Sequence, residues 1–362
     1  MPIGVGGRRP HGVRFAATQP ALRPTPFDER PTKTLRCRGR RERQAPERLV
    51  AGKKVLLLFA YGPPERRGVV VAISGGVDSA VCTALAVQAF GPAKVFGLLL
   101  PERDSSPTSL TRGGMVAEQF GIAHGVEDIA PTLAALGCYR RRDEAIRAVF
   151  PGYGEDWKSK IAIAGGQEGM FNYFKLVVQS PDGETHEKRL PLREYLQIVA
   201  ATNFKQRVRK TLEYFHADRL NYAVIGTPNR LEYDQGFFVK NGDGAADIKP
   251  IAHLYKTQVY ALARHLGIPE EICAAAPTTD TYSLQQGQDE FYFALRYDLM
   301  DLALWSHNHG VPVEDLAACL DIPVERAAFV YRDIQAKRQA TAYLHAAPQL
   351  IDPVDELPGL GP

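Results

Sequence analysis

The sequence has no long apolar segment and few cysteines. No run approaches the roughly 18 apolar residues of a membrane-spanning helix, since the longest candidates, such as Val55–Ala60, have the length of a strand. The cysteines form no CxxC pair, which gives no indication of a zinc site or a disulfide scaffold. We therefore expect reduced thiols in a cytoplasmic protein without a membrane anchor. The five cysteines are Cys37, Cys82, Cys138, Cys273 and Cys319.

Positive charge is concentrated at the start of the chain. Residues 1–48 contain twelve Lys or Arg against four Asp or Glu, a balance of +8, and the total of +3 leaves −5 for the remainder. The body is thus mildly acidic, which argues against a nucleic-acid-binding protein. The stretch has no apolar core of a secretory signal and no serine, so a disordered tail or an overlong start is favoured over a transit peptide.

Strand and helix patterns alternate after Leu49. Continuous apolar runs predict strands buried on both faces, and helical patterns closed by glycine lie between them. This alternation predicts an α/β fold, a doubly wound parallel sheet with helices on both faces. The predicted strands are Val69–Ile73, Lys94–Leu100 and Tyr222–Ile225. The predicted helices are Ser79–Phe90, Thr108–Phe120, Tyr255–Leu266 and Asp289–Trp305.

One segment departs from this alternation. Phe174–Val178 and Thr185–Leu190 flank an Asp-Gly turn, the pattern of a β-hairpin. We interpret residues 152–194 as an insertion into a single synthetase domain that spans residues 49–347. The Pro- and acid-rich end, residues 348–362, is expected to be a frayed tail.

The most informative motif follows the first predicted strand. Residues 72–79 read Ala-Ile-Ser-Gly-Gly-Val-Asp-Ser. Two glycines let the backbone approach phosphate oxygens, and the N-terminus of the following helix favours anions. Asp78 would repel phosphate alone, so its presence indicates a Mg²⁺ ion between them. The loop has no lysine and is therefore not a Walker A motif.

These residues resemble the SGGxDS signature of the PP-loop ATP pyrophosphatases. Further motifs resemble those of the ammonia-dependent NAD synthetases, in order and in spacing. They include Gly226-Thr227…Glu232, Gly236-Phe-Phe-Val-Lys240, Gly242-Asp-Gly244…Asp247, Lys256 and Pro277-Thr278-Thr-Asp280. The resemblance covers roughly residues 69–338 apart from the insertion.

The resemblance implies a role for each matching residue. Asp78 and Lys256 would be catalytic, and Asp78 and Glu232 would hold Mg²⁺. Arg207, Lys240, Asp247 and Lys337 would contact the carboxylate substrate, deamido-NAD. The ATP-binding residues would be Ser74, Gly75, Gly76, Asp78, Ser79, Thr227, Lys256 and Thr278.

The implied activity is an ATP-dependent ligase in NAD biosynthesis. It would adenylate deamido-NAD, release pyrophosphate and amidate the product with ammonia, either free or from a separate glutaminase. Members of the family are homodimers, so a homodimer is expected. Ala336 replaces a family histidine beside Lys337, and the insertion lies near Arg207. Amidation of a different carboxylate is therefore an alternative, and a non-catalytic nucleotide- or nucleic-acid-binding protein is a third.

Overall fold

Within the residues that the structure describes, the fold has two separate β-sheets connected by helices. The computed structural model describes residues 66–164, 173–277, 281–287, 292–293 and 295–352. The strands are β1 (Val69–Ala72), β2 (Val95–Leu99), β3 (Ala123–Val126), β4 (Lys158–Ala164), β5 (Tyr173–Gln179), β6 (Thr185–Arg189) and β7 (Ala223–Ile225). The helices are α1 (Val77–Phe90), α2 (Pro107–Gln119), α3 (Ala130–Ala135), α4 (Cys138–Val149), α5 (Leu192–Leu220), α6 (Arg230–Gln235), α7 (Lys256–His265), α8 (Glu270–Cys273), α9 (Tyr297–Asn308), α10 (Val313–Leu320) and α11 (Val324–His345).

The larger sheet is parallel and covered on both faces. Its strand order is β3-β2-β1-β7, and every neighbouring pair is parallel. Val69 and Val71 pack into a core that includes residues of α1, α2 and α7. Val70 points the other way, into a core with residues of α3, α4 and α5. Opposite faces of one strand thus meet different helices, which confirms the expected doubly wound α/β fold.

The apolar runs correctly located three of the four parallel strands. β1, β2 and β7 lie within the predicted ranges and are shorter by one or two residues. β3, with the sequence Ala-His-Gly-Val, was not predicted. Three of its four residues are exposed, so it lacks the branched apolar run that marks a strand buried on both faces.

The smaller sheet has three antiparallel strands in the order β4-β5-β6. β5 and β6 form the predicted hairpin, with Lys175 opposite Arg189 and Gln179 opposite Thr185. β4 pairs with the other side of β5 and was not predicted. The inner face of this sheet packs on residues of α4 and α5. The limits of the insertion itself remain a prediction.

Two expectations from the sequence are wrong. The helix expected over Asp289–Trp305 spans Tyr297–Asn308, because the extended backbone of Arg296 precedes its first turn. Residues 289–291 and 294 of the expected range lie outside the described residues. Cys82, Cys138 and Cys273 are buried free thiols, but Cys319 is disulfide-bonded. Cys319 is not part of a CxxC pair, so the sequence pattern gave no signal of this bond.

No helix within the described residues combines the length and the apolar character that spanning a membrane requires.

Candidate active site

A cavity of about 680 Å³ opens at the carboxyl ends of the parallel strands. Its wall includes residues that follow β1, β2 and β7, namely Ser74, Pro101 and Thr227. β1 lies between β2 and β7, so the chain leaves β1 toward one side and later returns on the other. Ligands of open α/β sheets bind at such a reversal of strand order. This is the edge of the sheet at which the sequence places the glycine-rich loop.

The glycine-rich loop is closed by short contacts around two serines. The backbone N–H of Ser74 donates to Oγ of Ser79 at 3.2 Å, and Oγ of Ser79 donates to the carbonyl of Gly76 at 3.0 Å. Gly75 has φ +79°, and an added Cβ would lie 2.3 Å from the carbonyl oxygen of Ser109. Only glycine fits this position without strain. The loop therefore approaches α2 closely and exposes Ser74 and Gly76 to the cavity.

Asp78 and Lys256 form an ion pair on the cavity wall. Asp78 lies in the first turn of α1, and Lys256 is the first residue of α7. The ammonium of Lys256 donates to Oδ2 of Asp78. Lys256 is only 2% exposed, whereas the side chain of Asp78 is 18% exposed. Both residues line the cavity, and the carboxylate is the more exposed of the two.

Asn229 joins the two carboxylates that the sequence analysis assigned to a metal. Its amide Nδ2 donates to Oδ1 of Asp78 at 3.2 Å, and its backbone N–H donates to Oε2 of Glu232 at 3.0 Å. Its Oδ1 caps α6 by accepting from the backbone N–H groups of Leu231 and Glu232. Asn229 was not among the predicted site residues. The signal that could have found it is the Asn-x-x-Glu capping box.

The Glu232 carboxylate also acts electrostatically on the ion pair of Asp78 and Lys256. Burial alone would lower the pKa of Lys256, but the Asp78 and Glu232 carboxylates raise it well above its usual range. Burial, and then the same two carboxylates, raise the pKa of the Cys82 thiol. With Lys256 protonated, two carboxylates and one ammonium give a formal charge of −1 (−2 + 1). Such a site favours a cation over a bare phosphate.

The four residues predicted to bind the carboxylate substrate separate into two pairs. Arg207 and Lys240 line the cavity, and Nε of Arg207 donates to the Lys240 carbonyl at 3.3 Å. The Lys240 ammonium donates to the carbonyls of Tyr343 and Ala346 near the end of α11.

Asp247 and Lys337 are not among the residues that line the cavity. Oδ2 of Asp247 accepts from the backbone N–H of Val224 at 2.8 Å, an arrangement that braces β7. Lys337 donates to Asp333 and to the carbonyl of Tyr292, and Tyr292 does line the cavity. Burial lowers the pKa of Lys337. Of the predicted ATP-binding residues, Thr227 lines the cavity and Thr278 lies outside the described residues.

The carboxylates of Asp78 and Glu232 fit a magnesium ion in chemistry. Within the described residues no group of three or more His, Cys, Asp or Glu could hold a metal ion by itself. Mg²⁺ does not need such a group, because it commonly binds one or two carboxylates and completes its shell with water and phosphate oxygens. Asp78 still has acceptor capacity, since a carboxylate offers about four lone-pair positions and two hydrogen bonds are described.

The fold and the site define a doubly wound α/β protein with a PP-loop motif at its cavity. The sequence matches the family model of NAD synthase over residues 64–148 and 176–343. The chain belongs to the NAD synthase family.

Individual relatives agree with this assignment. The NH(3)-dependent NAD(+) synthetase of Rhizobium meliloti (strain 1021) is 58% identical over 312 residues, which cover 86% of this chain and 92% of that protein. The enzyme of the same name from Rhizobium rhizogenes is 56% identical over 290 residues, 80% of this chain and 87% of that protein. The structure of NMN synthetase from Francisella tularensis has the same fold, with a TM-score of 0.54 and 23% identity over 85% of this chain and 98% of that one.

Proposed function

We propose that this chain is an ammonia-dependent NAD synthetase, a ligase that converts deamido-NAD into NAD at the expense of ATP. The proposal is supported by family membership and by relatives that carry this name at 56–58% identity. The observation that carries it is the convergence of Asp78, Glu232 and Lys256 beside the glycine-rich loop. Arg207 and Lys240 lie in the same cavity and supply cations for an acidic dinucleotide.

The first step would be adenylation. A carboxylate oxygen of deamido-NAD attacks the α-phosphorus of ATP, the bond from that phosphorus to the bridging oxygen breaks, and pyrophosphate leaves. Catalysis of such a displacement is mainly positioning and charge stabilisation. Backbone N–H groups of residues 74–76 and the Lys256 ammonium are the donors placed to stabilise the phosphate charge. Lys256 stays protonated at neutral pH, because the neighbouring carboxylates raise its pKa.

We propose that Mg²⁺ is held by Asp78 and Glu232. Bound there, it would neutralise charge on the departing pyrophosphate and offset the negative charge of the two carboxylates. Asn229 restrains both carboxylates, because its side-chain amide donates to Asp78 and its backbone N–H donates to Glu232.

The second step would be amidation. Ammonia attacks the acyl carbon of the adenylate, the bond to AMP breaks, and the new amide loses a proton as AMP departs. Free ammonium, or ammonia from a separate glutaminase, is the nitrogen source that we propose. A homodimer in the cytoplasm belongs to the same proposal. The predicted basic tail, residues 1–48, lies outside the described residues.

Pyrophosphate release from the purified chain tests this function. We expect ATP-dependent release with deamido-NAD and ammonium, and NAD as the product. Glutamine alone is expected to give far less product than ammonium at equal concentration. A panel of other carboxylates provides the alternative outcome. If the enzyme turned over one of these carboxylates and not deamido-NAD, we would conclude that the site amidates that other carboxylate.

A further inference from the structure

A short segment, residues 281–287, forms part of the cavity wall on the side of α5. Thr281 and Tyr282 both line the cavity. Tyr282 is 6% exposed and also belongs to the core under the three-stranded sheet, where it is grouped with Ile161, Leu176 and Ile198. One side chain thus contributes to the cavity wall and to the core of the smaller sheet. The position of this wall therefore depends on what holds the segment.

Lys205 of α5 holds the start of the segment. Its ammonium donates to the Thr281 carbonyl at 2.7 Å, to Oε1 of Glu102 at 2.9 Å and to Oδ2 of Asp104 at 2.7 Å. An ammonium has three N–H donors, so these three acceptors use all of them. Lys205 is 0% exposed. Glu102 and Asp104 follow β2, whose loop lines the cavity at Ser105. One buried cation thus connects three parts of the cavity wall.

The edge of β4 holds the rest of the segment. β4 is the outer strand of the three-stranded sheet, so one of its edges is not paired with another named strand. The backbone N–H of Ser159 donates to Oγ of Ser283 at 2.9 Å, and that of Leu284 donates to the Ser159 carbonyl at 3.2 Å. Nε2 of Gln286 donates to the Ile161 carbonyl. The segment therefore lies along the outer edge of β4.

We propose that Lys205 and the edge of β4 position residues 281–287 as a preformed cavity wall, and that the three-stranded sheet thereby contributes to substrate affinity. The proposal rests on the proposed function and assigns a role to the predicted insertion. The wall lies on the α5 side, where Asn203 and Arg207 also face the cavity, so the carboxylate substrate is the ligand that depends on it. A wall ordered before binding saves the ligand the entropy cost of ordering it.

The double variant Ser283→Ala/Gln286→Leu tests the anchoring with little risk to the fold. It removes two hydrogen bonds to β4 but leaves the Lys205 cluster intact. Oε1 of Gln286 is buried and has no hydrogen-bond partner in the described part of the chain, so replacing this amide also removes an unsatisfied group. We expect the KM for deamido-NAD to rise about tenfold, with kcat within about twofold of wild type. Amide hydrogen exchange over residues 281–287 should become faster.

A matched control lies on the same sheet. Lys175→Met breaks the ion pair of Lys175 with Glu187, which joins β5 to β6 and leaves the segment untouched. This variant should keep the wild-type KM and the wild-type exchange rates. Lys205→Arg keeps the charge but replaces three converging donors with a planar fork, so it should raise the KM in the same direction.

Each readout can overturn the proposal separately. Unchanged amide hydrogen exchange over residues 281–287 in the double variant would show that the edge of β4 does not anchor the segment. Faster exchange with an unchanged KM would show that the segment is anchored but does not position substrate. If wild-type protein fails to turn over deamido-NAD, the proposed function falls. The exchange comparison between wild type and the double variant then still tests the anchoring.

Discussion

Lys205 and Lys256 are both almost completely buried against carboxylates, yet their surroundings differ. Lys256 belongs to a cavity cluster with Asp78 and Glu232, whose formal charge is −1. Lys205 belongs to a buried cluster with Glu102, Asp104 and Arg142, whose two cations balance two carboxylates.

The difference in solvent access follows the difference in charge. Asp78 is 18% exposed toward the cavity, whereas Glu102 and Asp104 are 0% and 5% exposed. Clusters of lysine and carboxylate groups can therefore have different roles in one protein. A neutral and fully hydrogen-bonded cluster fixes the backbone around it, while an open cluster with excess negative charge can receive a cation and a polyphosphate.

Removal of the buried ammonium should have the largest effect on stability. Lys205→Met leaves Glu102 and Asp104 buried with fewer partners, and breaking such a cluster costs about 3–5 kcal/mol. Urea unfolding should report a loss in this range. Lys175→Met, at a more exposed ion pair, should lose less than about 1 kcal/mol. Similar losses for both variants would remove the distinction between buried and exposed pairs.

Removal of the cavity ammonium should affect catalysis more than folding. Lys256→Met is expected to lower the rate of ATP–pyrophosphate exchange about 100- to 1000-fold, because it deletes one preorganised donor. Its unfolding free energy should fall by less than that of Lys205→Met, since Asp78 keeps its Asn229 partner and reaches the cavity. If Lys256→Met lost as much unfolding free energy as Lys205→Met and kept the wild-type rate of ATP–pyrophosphate exchange, Lys256 would serve stability and not catalysis.

The buried cluster should also appear in the pH dependence of stability. Burial alone would raise the pKa of Asp104, but Lys205 and Arg142 together hold it at about 2, below the ordinary 3.8. A depressed carboxyl pKa stabilises the fold above the unfolded value and loses this contribution as pH falls through the folded value. The contribution is about 2 kcal/mol. The stability gap between wild type and Asp104→Asn should therefore narrow from about pH 4 toward pH 2. A gap that stays constant over this range would contradict the assigned pKa.

The smallest expected effect concerns the amide that joins the two carboxylates. Asn229→Ala removes the cap of α6 and should cost about 1 kcal/mol of stability. It also frees Asp78 from one hydrogen bond, so the exchange rate should fall by less than in Lys256→Met. The rate and the unfolding free energy can be measured on the same preparation. An exchange rate below that of Lys256→Met would make Asn229 part of the chemistry and not only a support.

The parallel sheet was more predictable from the sequence than the clusters of Lys205 and Lys256 with their carboxylates. Val69–Ala72 is recognisable because β-branched residues fill a strand buried on both faces, and the glycine-rich loop has a specific motif. β4 reads Lys-Ser-Lys-Ile-Ala-Ile-Ala, which lacks the continuous β-branched run of β1, and it lies in a region where no strand was expected. Lys205 could not be identified, because most lysines are solvated and its partners come from residues 102, 104 and 281.

The candidate site was also only partly predictable. Asp78, Glu232 and Lys256 were identified by resemblance, and the structure brings them to one cavity. Asp247 lies in a matching motif and Lys337 in one that departs from the family at Ala336, and neither lines the cavity. Spacing along a chain reports which residues recur in a family, whereas their direction depends on packing with distant elements. Asp247 faces the backbone of β7, and no local pattern records that contact.

ATP–pyrophosphate exchange by Asp78→Ala directly tests the proposed catalytic role of Asp78. The exposed Asp218 near the end of α5 provides a matched control, because Asp218→Ala removes a carboxylate that does not line the cavity. We expect Asp78→Ala to lose at least about 100-fold in exchange rate while its unfolding transition stays cooperative, and Asp218→Ala to retain full exchange. Exchange at the wild-type rate in a folded Asp78→Ala protein would contradict the proposed role of Asp78 in catalysis.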